Sequence, residues 1–391
     1  MALSGKAANR LKNLKPSGIR RFFAAAEEFP GVINLSVGEP DFPPPKHVLE
    51  SGWRALEQGK THYTPTNGIL ELREALAKKA YEDYGLRYDP ESEILVTVGG
   101  TEAIALALLA LVNPGDEVLI PDPGFVCYSP NVQLAGGVPV SVPLLEENEF
   151  KPSIDTVTSL ITDKSRVMII NSPNNPTGAV LSRDELEALA KVAVERDLIV
   201  ISDEVYEKIL YDDAKHCCLA SFPGMRERTL VVNSFSKTYA MTGFRIGFVY
   251  GPKELMFPLW LVHQYFVACV DSFAQYAALA ALEGPQNFVR EMVEEFDRRR
   301  RFVHKRLNEI EGFKCALPKG AFYAFPNIKR FKMSSEDFAQ MLLSEARVAV
   351  VPGSAFGSYG EGYIRISYAA SYEQLEEAMN RIEKAVKKLK V

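Results

Sequence analysis

The sequence predicts an α/β protein built on a mostly parallel sheet covered by helices. Short β-branched apolar runs recur at 117–120, 138–142, 166–170 and 198–202, and two more end near Asn233 and Tyr250. Strands buried on both faces read this way, and the helical or turn segments between them supply the crossovers that parallel pairing needs. The segment 181–194 has helical periodicity, with Ser182 and Glu185 at capping-box spacing. With 391 residues, 47% of them hydrophobic, the chain can bury a large core and is long enough for two domains.

Charge and composition exclude several classes. There are 45 basic and 50 acidic side chains, a formal charge of -5, so no basic excess points to nucleic acid or a membrane surface. No apolar run reaches spanning length; the longest candidate, 104–112, stops at Asn113-Pro114. Five cysteines without a CxxC pair, and a start lacking the apolar core of a signal peptide, lead us to expect a reducing cytoplasm. His47, His62, His216, His263 and His304 are too dispersed to predict a metal site by spacing.

Taken in order, residues 19–28 read as a short amphipathic helix closed by Pro30-Gly31. A small apolar run, 32–37, then meets GEPDFPPP at 38–45, where repeated proline stops any helix. That turn is either a linker or a place where backbone amides and Asn34 approach a ligand. Helices are expected over 47–56 and 69–84. Tyr63, between them, is either packing or a hydroxyl donor for a phosphate.

The run 94–98 leads through Gly99-Gly100-Thr101 into an almost wholly apolar helix. Glycines there permit close backbone approach, and first-turn amides point outward as anion donors. The spacing satisfies neither the dinucleotide nor the Walker pattern. In open α/β sheets ligand groups gather where loops leave strand ends. Phe125, in one such loop, can offer its ring to a flat heteroaromatic ligand or only fill core. Asn175, in NSPNNPTG at 171–178, can donate to a phenolate oxygen or merely close its own turn. Asp203 follows the run 198–202 directly, with Tyr206 three residues on. Such a carboxylate can keep a pyridine nitrogen protonated, making the ring an electron sink, or can cap a helix instead. Tyr206 can donate to the ring oxygen, while Glu204 is expected to point elsewhere.

The stretch 230–250 ties these together. A strand-like run delivers Ser234, Ser236 and Lys237 onto a loop, and Arg245 opens the next run. An amine that can form a Schiff base, two hydroxyls and a guanidinium suit a ligand carrying a carbonyl and a phosphate. Alone, Ser-x-Ser-Lys also fits a solvated loop. Beyond it, GPKELMFPLW at 251–260 begins a less regular connection, 268–282 reads as a helix, and 288 onward as a long polar helix. Arg298 to Arg301 lie on that helix and are expected to be solvated, balanced by Glu291, Glu294 and Glu295. A strand at 320–325, a helix at 335–346 and a lysine-rich helix at 375–389 complete the chain. Arg365, in the strand-like GYIRISYA, can offer a bidentate donor to a carboxylate or form an interface salt bridge.

GEPDF, HYTPTNGILELREAL, GGTEAI, NSPNNPTG, SDEVY, SFSKTYAMTGFRIGF and GYIRISYA occur in that order over nearly the whole chain. In this the sequence resembles the class I/II aminotransferases of the pyridoxal-phosphate fold type I superfamily, and within them the archaeal aromatic-amino-acid enzymes. The resemblance implies a large seven-stranded cofactor domain (46–287). It also implies a smaller α+β domain made from 1–45, with the N-terminal arm, and 288–391. It implies that pyridoxal phosphate is held on Lys237, with Asp203 at the ring nitrogen and Tyr206 and Asn175 at the ring oxygen. Gly100, Thr101, Ser234, Ser236 and Arg245 would hold the phosphate, and Phe125 would stack on the ring. Tyr63 would reach a phosphate across a homodimer interface, and Arg365, with Gly38 and Asn175, would take the substrate carboxylate. The implied reaction moves an amino group from an L-amino acid to a 2-oxo acid, 2-oxoglutarate by resemblance, in two half-reactions. Some aspartate-selective relatives have lysine after the double glycine, where this chain has Thr101, and no side-chain carboxylate clamp is placed in the LVHQY region; both weaken an aspartate-only reading and leave open an arginine arriving from elsewhere. Alanine, aspartate, 2-aminoadipate or broad specificity stays open, as do PLP-dependent lyase chemistry and non-catalytic binding of the cofactor.

Overall fold

A computed structural model describes residues 8–12, 14, 16, 18–19 and 29–389. The helix expected over 19–28 therefore lies, beyond Ile19, outside the described residues. After β1 (Ile33–Asn34), the chain builds one large sheet from seven strands. They are β2 (Ile94–Thr97), β3 (Glu117–Asp122), β4 (Val138–Pro143), β5 (Ser165–Asn171), β6 (Ile199–Asp203), β7 (Thr229–Ser234) and β8 (Gly247–Tyr250). Their spatial order is β2-β8-β7-β6-β5-β3-β4. Every pairing is parallel except those of β8, which runs antiparallel to both β2 and β7. β2, β7 and β8 are buried along their whole length, which is why they read as continuous apolar runs rather than alternating ones.

Both faces of the sheet are covered. Leu106, Leu108 and Leu111 of helix Gly99–Leu111 share a core with Val232, Val249 and Leu259. Leu186, Leu189 and Ala193 of helix Arg183–Glu195 pack on Ile170 and Val200 on the opposite side. The expected capping box is formed: Ser182 Oγ accepts from the Glu185 amide, and the Ser182 amide donates to Glu185 Oε2 at 2.7 Å, worth about 1 kcal/mol.

A smaller α+β body stands beside the sheet. β9 (Tyr323–Ala324), β10 (Val348–Ala349), β11 (Val351–Pro352) and β12 (Ile364–Ser367) belong to it. β12 pairs antiparallel with β11 on one side and β9 on the other. β1 pairs parallel with β10, Ile33 opposite Val348. Ile33 and Leu35 thereby enter one core with Phe296 and Val303 of helix Asn287–Glu309 and Leu375 and Ile382 of helix Tyr372–Val386. Segments far apart in sequence thus close one body.

Three expectations are corrected. The segment from Lys253 is a regular helix, Lys253–Val267, despite Pro258 inside it. Interior proline costs about 3 kcal/mol, but Met256, Leu259 and His263 bury one face of this helix, and that packing prevails. The strand expected over 320–325 shortens to Tyr323–Ala324, because Ala321 sits at φ 58° and bends the approach. The arginine run is not simply solvated. Arg298 and Arg301 face outward, but Arg300 is buried, bonding Asp297 at 2.7 Å, both Asp212 oxygens and the Pro318 carbonyl at 2.6 Å. Arg299 is buried on Asp41 at 2.7 Å and Glu295 at 2.8 Å. Asp212 and Asp41 come from remote loops, so a local charge count could not reveal them. Among the described residues, no helix is long and apolar enough to cross a membrane.

Candidate active site

The carboxyl ends of β6 and β7 and the start of helix Gly99–Leu111 converge on one cavity of about 580 Å³, a size ordinary for small-molecule sites. The helix start has no side-chain cap, so its first amides are available to an anion. Gly99 has φ 76°, and a Cβ there would lie 2.6 Å from Arg245 Nη2. Only glycine lets that guanidinium lie against the helix start. Arg245 is itself left-handed, at φ 54°, and donates from Nη1 to the Thr242 carbonyl at 2.9 Å. Ser234 Oγ lies 2.8 Å from Ser236 Oγ and also donates to the Ile246 carbonyl at 3.1 Å. Gly100, Thr101, Ser234, Ser236 and Arg245 all line the cavity. Outward amides, two hydroxyls and a fixed cation make a seat for a dianion.

Lys237 lines the centre of the cavity, its Nζ donating to the Gly38 carbonyl. Burial, reinforced by Arg365 and then Arg245, lowers its pKa to about 8. A fraction of the amine is therefore neutral at physiological pH, the form that attacks a carbonyl or takes a proton. Asp203, at the end of β6, is 3% exposed, and burial raises its pKa to about 6. Tyr128 opposes that rise by donating its hydroxyl to Asp203 Oδ2 at 2.6 Å. Glu204 turns away: its carboxylate meets Ser202 Oγ at 2.8 Å and His216 Nε2 at 2.7 Å.

Arg365 is 1% exposed. It donates from Nη1 to Asn175 Oδ1 at 3.0 Å and from Nη2 to the Ser36 carbonyl at 2.6 Å, while its buried Nε has no partner among the described residues. Its guanidinium lies 4.3 Å from the centre of the Tyr323 ring. Gly38, Phe125, Asn175, Asp203, Tyr206 and Arg365 line the same cavity. Tyr63 does not; it is 89% exposed on the surface of its own chain. The other candidate cofactor and substrate residues are brought together in this cavity, whereas Asn34 lies outside its lining, its Oδ1 accepting from the Ser36 amide at 3.0 Å and the Ser36 hydroxyl at 2.7 Å.

Sequence reasoning missed Tyr128 and Tyr323. Tyr128 lies three residues after Phe125, its amide donating to the Phe125 carbonyl at 3.1 Å, yet it carries no motif. Tyr323 lies in a segment read only as strand, and its hydroxyl stands 2.7 Å from that of Tyr206. Ile19, Val37 and Val126 also line the cavity; from sequence Ile19 falls in an expected helix and Val37 in a small apolar run, with no role at a site.

The family model for aminotransferase class I and II matches residues 30–382. An aspartate aminotransferase of Pyrococcus abyssi is 51% identical over 385 residues, 98% of this chain and 99% of that protein. The aromatic-amino-acid aminotransferase 2 of Thermococcus litoralis is 50% identical over 393 residues, covering both chains completely. Among solved structures, aspartate aminotransferase from Thermus thermophilus with maleate superposes with a TM-score of 0.93 at 41% identity, covering 97% of this chain and 99% of that one.

Proposed function

The chain belongs to the class I and II aminotransferase family and is a pyridoxal-phosphate-dependent aminotransferase, and from that premise we propose that its amino donor is an aromatic L-amino acid. One observation carries this reading. Among the described residues, the cationic side chains lining the cavity are Lys237, Arg245 and Arg365. Each has a separate task in the proposal: the cofactor's carbonyl, the phosphate and the α-carboxylate. None of these described cations is left over for a second carboxylate, while Ile19, Val37, Val126 and Tyr323 offer apolar or aromatic surface to a side chain.

The donor set fits the cofactor. The Gly99 cradle, the uncapped helix start, Ser234, Ser236 and Arg245 suit the phosphate dianion, and Phe125 offers a stacking face. When bound, pyridoxal phosphate supplies an aldehyde for covalent capture of an amine and a ring that accepts an electron pair. The chain's own residues do the rest in this proposal. Asp203 holds a proton on the ring nitrogen through a charge-assisted hydrogen bond. Tyr206 and Asn175 donate to the ring oxygen. Arg365, with Gly38 and Asn175 beside it, fixes the α-carboxylate. Lys237, with its lowered pKa, would take the substrate's α-proton and deliver it to the cofactor's aldehyde carbon, on the far side of the amino nitrogen. The same groups serve both directions, so the amino acid leaves as its 2-oxo acid before a second 2-oxo acid, 2-oxoglutarate in this reading, enters.

The proposal includes a cytoplasmic homodimer, with large and small domains divided at residues 45 and 287. Phe257, Tyr265 and Phe266, all more than half exposed, support a covered surface on helix Lys253–Val267. Tyr63 would enter the phosphate site of the second subunit. A matrix of amino donors against 2-oxo acids, read by mass analysis of the products, tests the substrate assignment. Dominant exchange from aromatic donors is expected; dominant exchange from aspartate, the substrate named for the Pyrococcus abyssi relative, overturns it.

A further inference from the structure

We infer that Tyr323 is a positioning residue, whose hydroxyl donates to Tyr206 and so directs the Tyr206 proton into the cavity. The inference rests on the reading of Tyr206 given above as a donor to the cofactor's ring oxygen.

The fold places Tyr323 for this. β9 and β12 pair with Tyr323 opposite Ser367, so Arg365, two residues before Ser367, projects from the same face. The Tyr323 ring consequently lies under the Arg365 guanidinium, 4.3 Å away, and edge-on to the Tyr206 ring with centroids 5.8 Å apart. Its hydroxyl is 2.7 Å from that of Tyr206. The chain also clears space there: a Cβ on Gly38 would stand 2.6 Å from Tyr323 Oη. Tyr323 is 1% exposed and Tyr206 3%, so the bond between the two hydroxyls is largely shielded from bulk water.

Two phenols in contact share one hydrogen bond, and its direction matters. A phenol has one proton to give. If Tyr206 gave its proton to Tyr323, it would have none for a ligand. With Tyr323 as donor, Tyr206 accepts along one direction and keeps its own proton for the cavity. Its donating power also rises, because hydrogen bonds in a chain polarise one another. The contact with Arg365 holds the Tyr323 ring, so one side chain touches both the carboxylate-binding arginine and the ring-oxygen donor.

The test is a spectroscopic pH titration of the enzyme loaded with pyridoxal phosphate, in wild type, Tyr323→Phe and Tyr206→Phe. Losing a donor to the ring oxygen disfavours its anionic form, so the midpoint of the visible band rises in Tyr206→Phe. In Tyr323→Phe it rises the same way, by roughly half a unit to one unit. Because the ring stays beneath Arg365, kcat falls while KM for the amino donor stays within about twofold, an effect on Tyr206 rather than on uniform binding. Incorporating 3-fluorotyrosine at position 323 makes the hydroxyl a stronger donor and lowers the midpoint. A midpoint that moves in Tyr206→Phe but not in Tyr323→Phe or the fluorinated protein overturns the role of Tyr323. A midpoint unmoved in all three overturns the reading of Tyr206 instead.

Discussion

Replacing Tyr128 with phenylalanine removes one oxygen and one hydrogen bond, the 2.6 Å donation to Asp203, and leaves the ring that packs against Phe125. Asp203 then stays buried without the donor that most opposes its raised pKa. A hydrogen bond to an ionised group contributes about 1.5–3 kcal/mol, and one pKa unit corresponds to about 1.36 kcal/mol. The Asp203 pKa, about 6 in the wild-type fold, is therefore expected to rise by about one to two units in Tyr128→Phe. The sign follows from linkage. A carboxyl raised above its ordinary value binds its proton more tightly folded than unfolded, so the folded apoprotein loses stability as pH rises through that pKa. The variant extends that loss to higher pH. The assay is the dissociation constant of pyridoxal phosphate from the apoprotein across pH 5 to 9, with melting curves alongside. In the wild type, binding that needs an ionised Asp203 strengthens through a midpoint near 6. In the variant it strengthens through a midpoint near 7 to 8, about one to two units higher, and recovers at alkaline pH. An unshifted midpoint in a folded variant refutes the argument that this phenol sets the charge of Asp203.

Four further outcomes are expected. Lys237→Ala abolishes amino transfer while leaving the circular dichroism and melting temperature close to wild type, since Nζ faces the cavity rather than the core; residual turnover at wild-type rates would contradict its assignment. Arg365→Lys loses the planar fork and raises KM for both amino and 2-oxo acids by about tenfold or more, near 1.4 kcal/mol, as steady-state kinetics would show. Gly99→Ala forces an L residue to φ 76° with its Cβ 2.6 Å from Arg245, costing about 1–2 kcal/mol in backbone strain and weakening phosphate-site affinity measured by equilibrium dialysis. His216→Gln tests the pair with Glu204. Interactions with Glu204 prevail over burial and raise the His216 pKa above 6.5, so its contribution is present below that value and lost as pH rises through the folded pKa. Chemical denaturation should show a deficit of about 3 kcal/mol at acid pH, narrowing in alkali.

The sheet was legible in the sequence because all its strands except β4 are largely buried and helices or turns separate them. The loops at 171–178 and after Asp203 could be placed near one another for the same reason, since parallel strands put their carboxyl ends on one side. What local sequence could not give was the partner from a distant segment. Arg300 looked solvated until Asp212, 88 residues away, was found against it. The helix Lys253–Val267, with Pro258 inside it, was not foreseen because the packing that holds it comes from the helix at Gly99–Leu111. Tyr323 carried no signal, because its importance lies in a register between β9 and β12 that no spacing within either strand reveals.

The pairing of β1 with β10, and of Ser36 with Arg365, has a consequence for synthesis. A growing chain arrested soon after Tyr250 already holds every strand of the seven-stranded sheet, together with Lys237 and its phosphate-side neighbours. It still lacks β10 and β12, against which β1 and the Ser36 carbonyl dock. A nascent protein of that length has the phosphate-side groups but no Arg365 for an amino acid's carboxylate, so competence for turnover arrives only with the final stretch of translation.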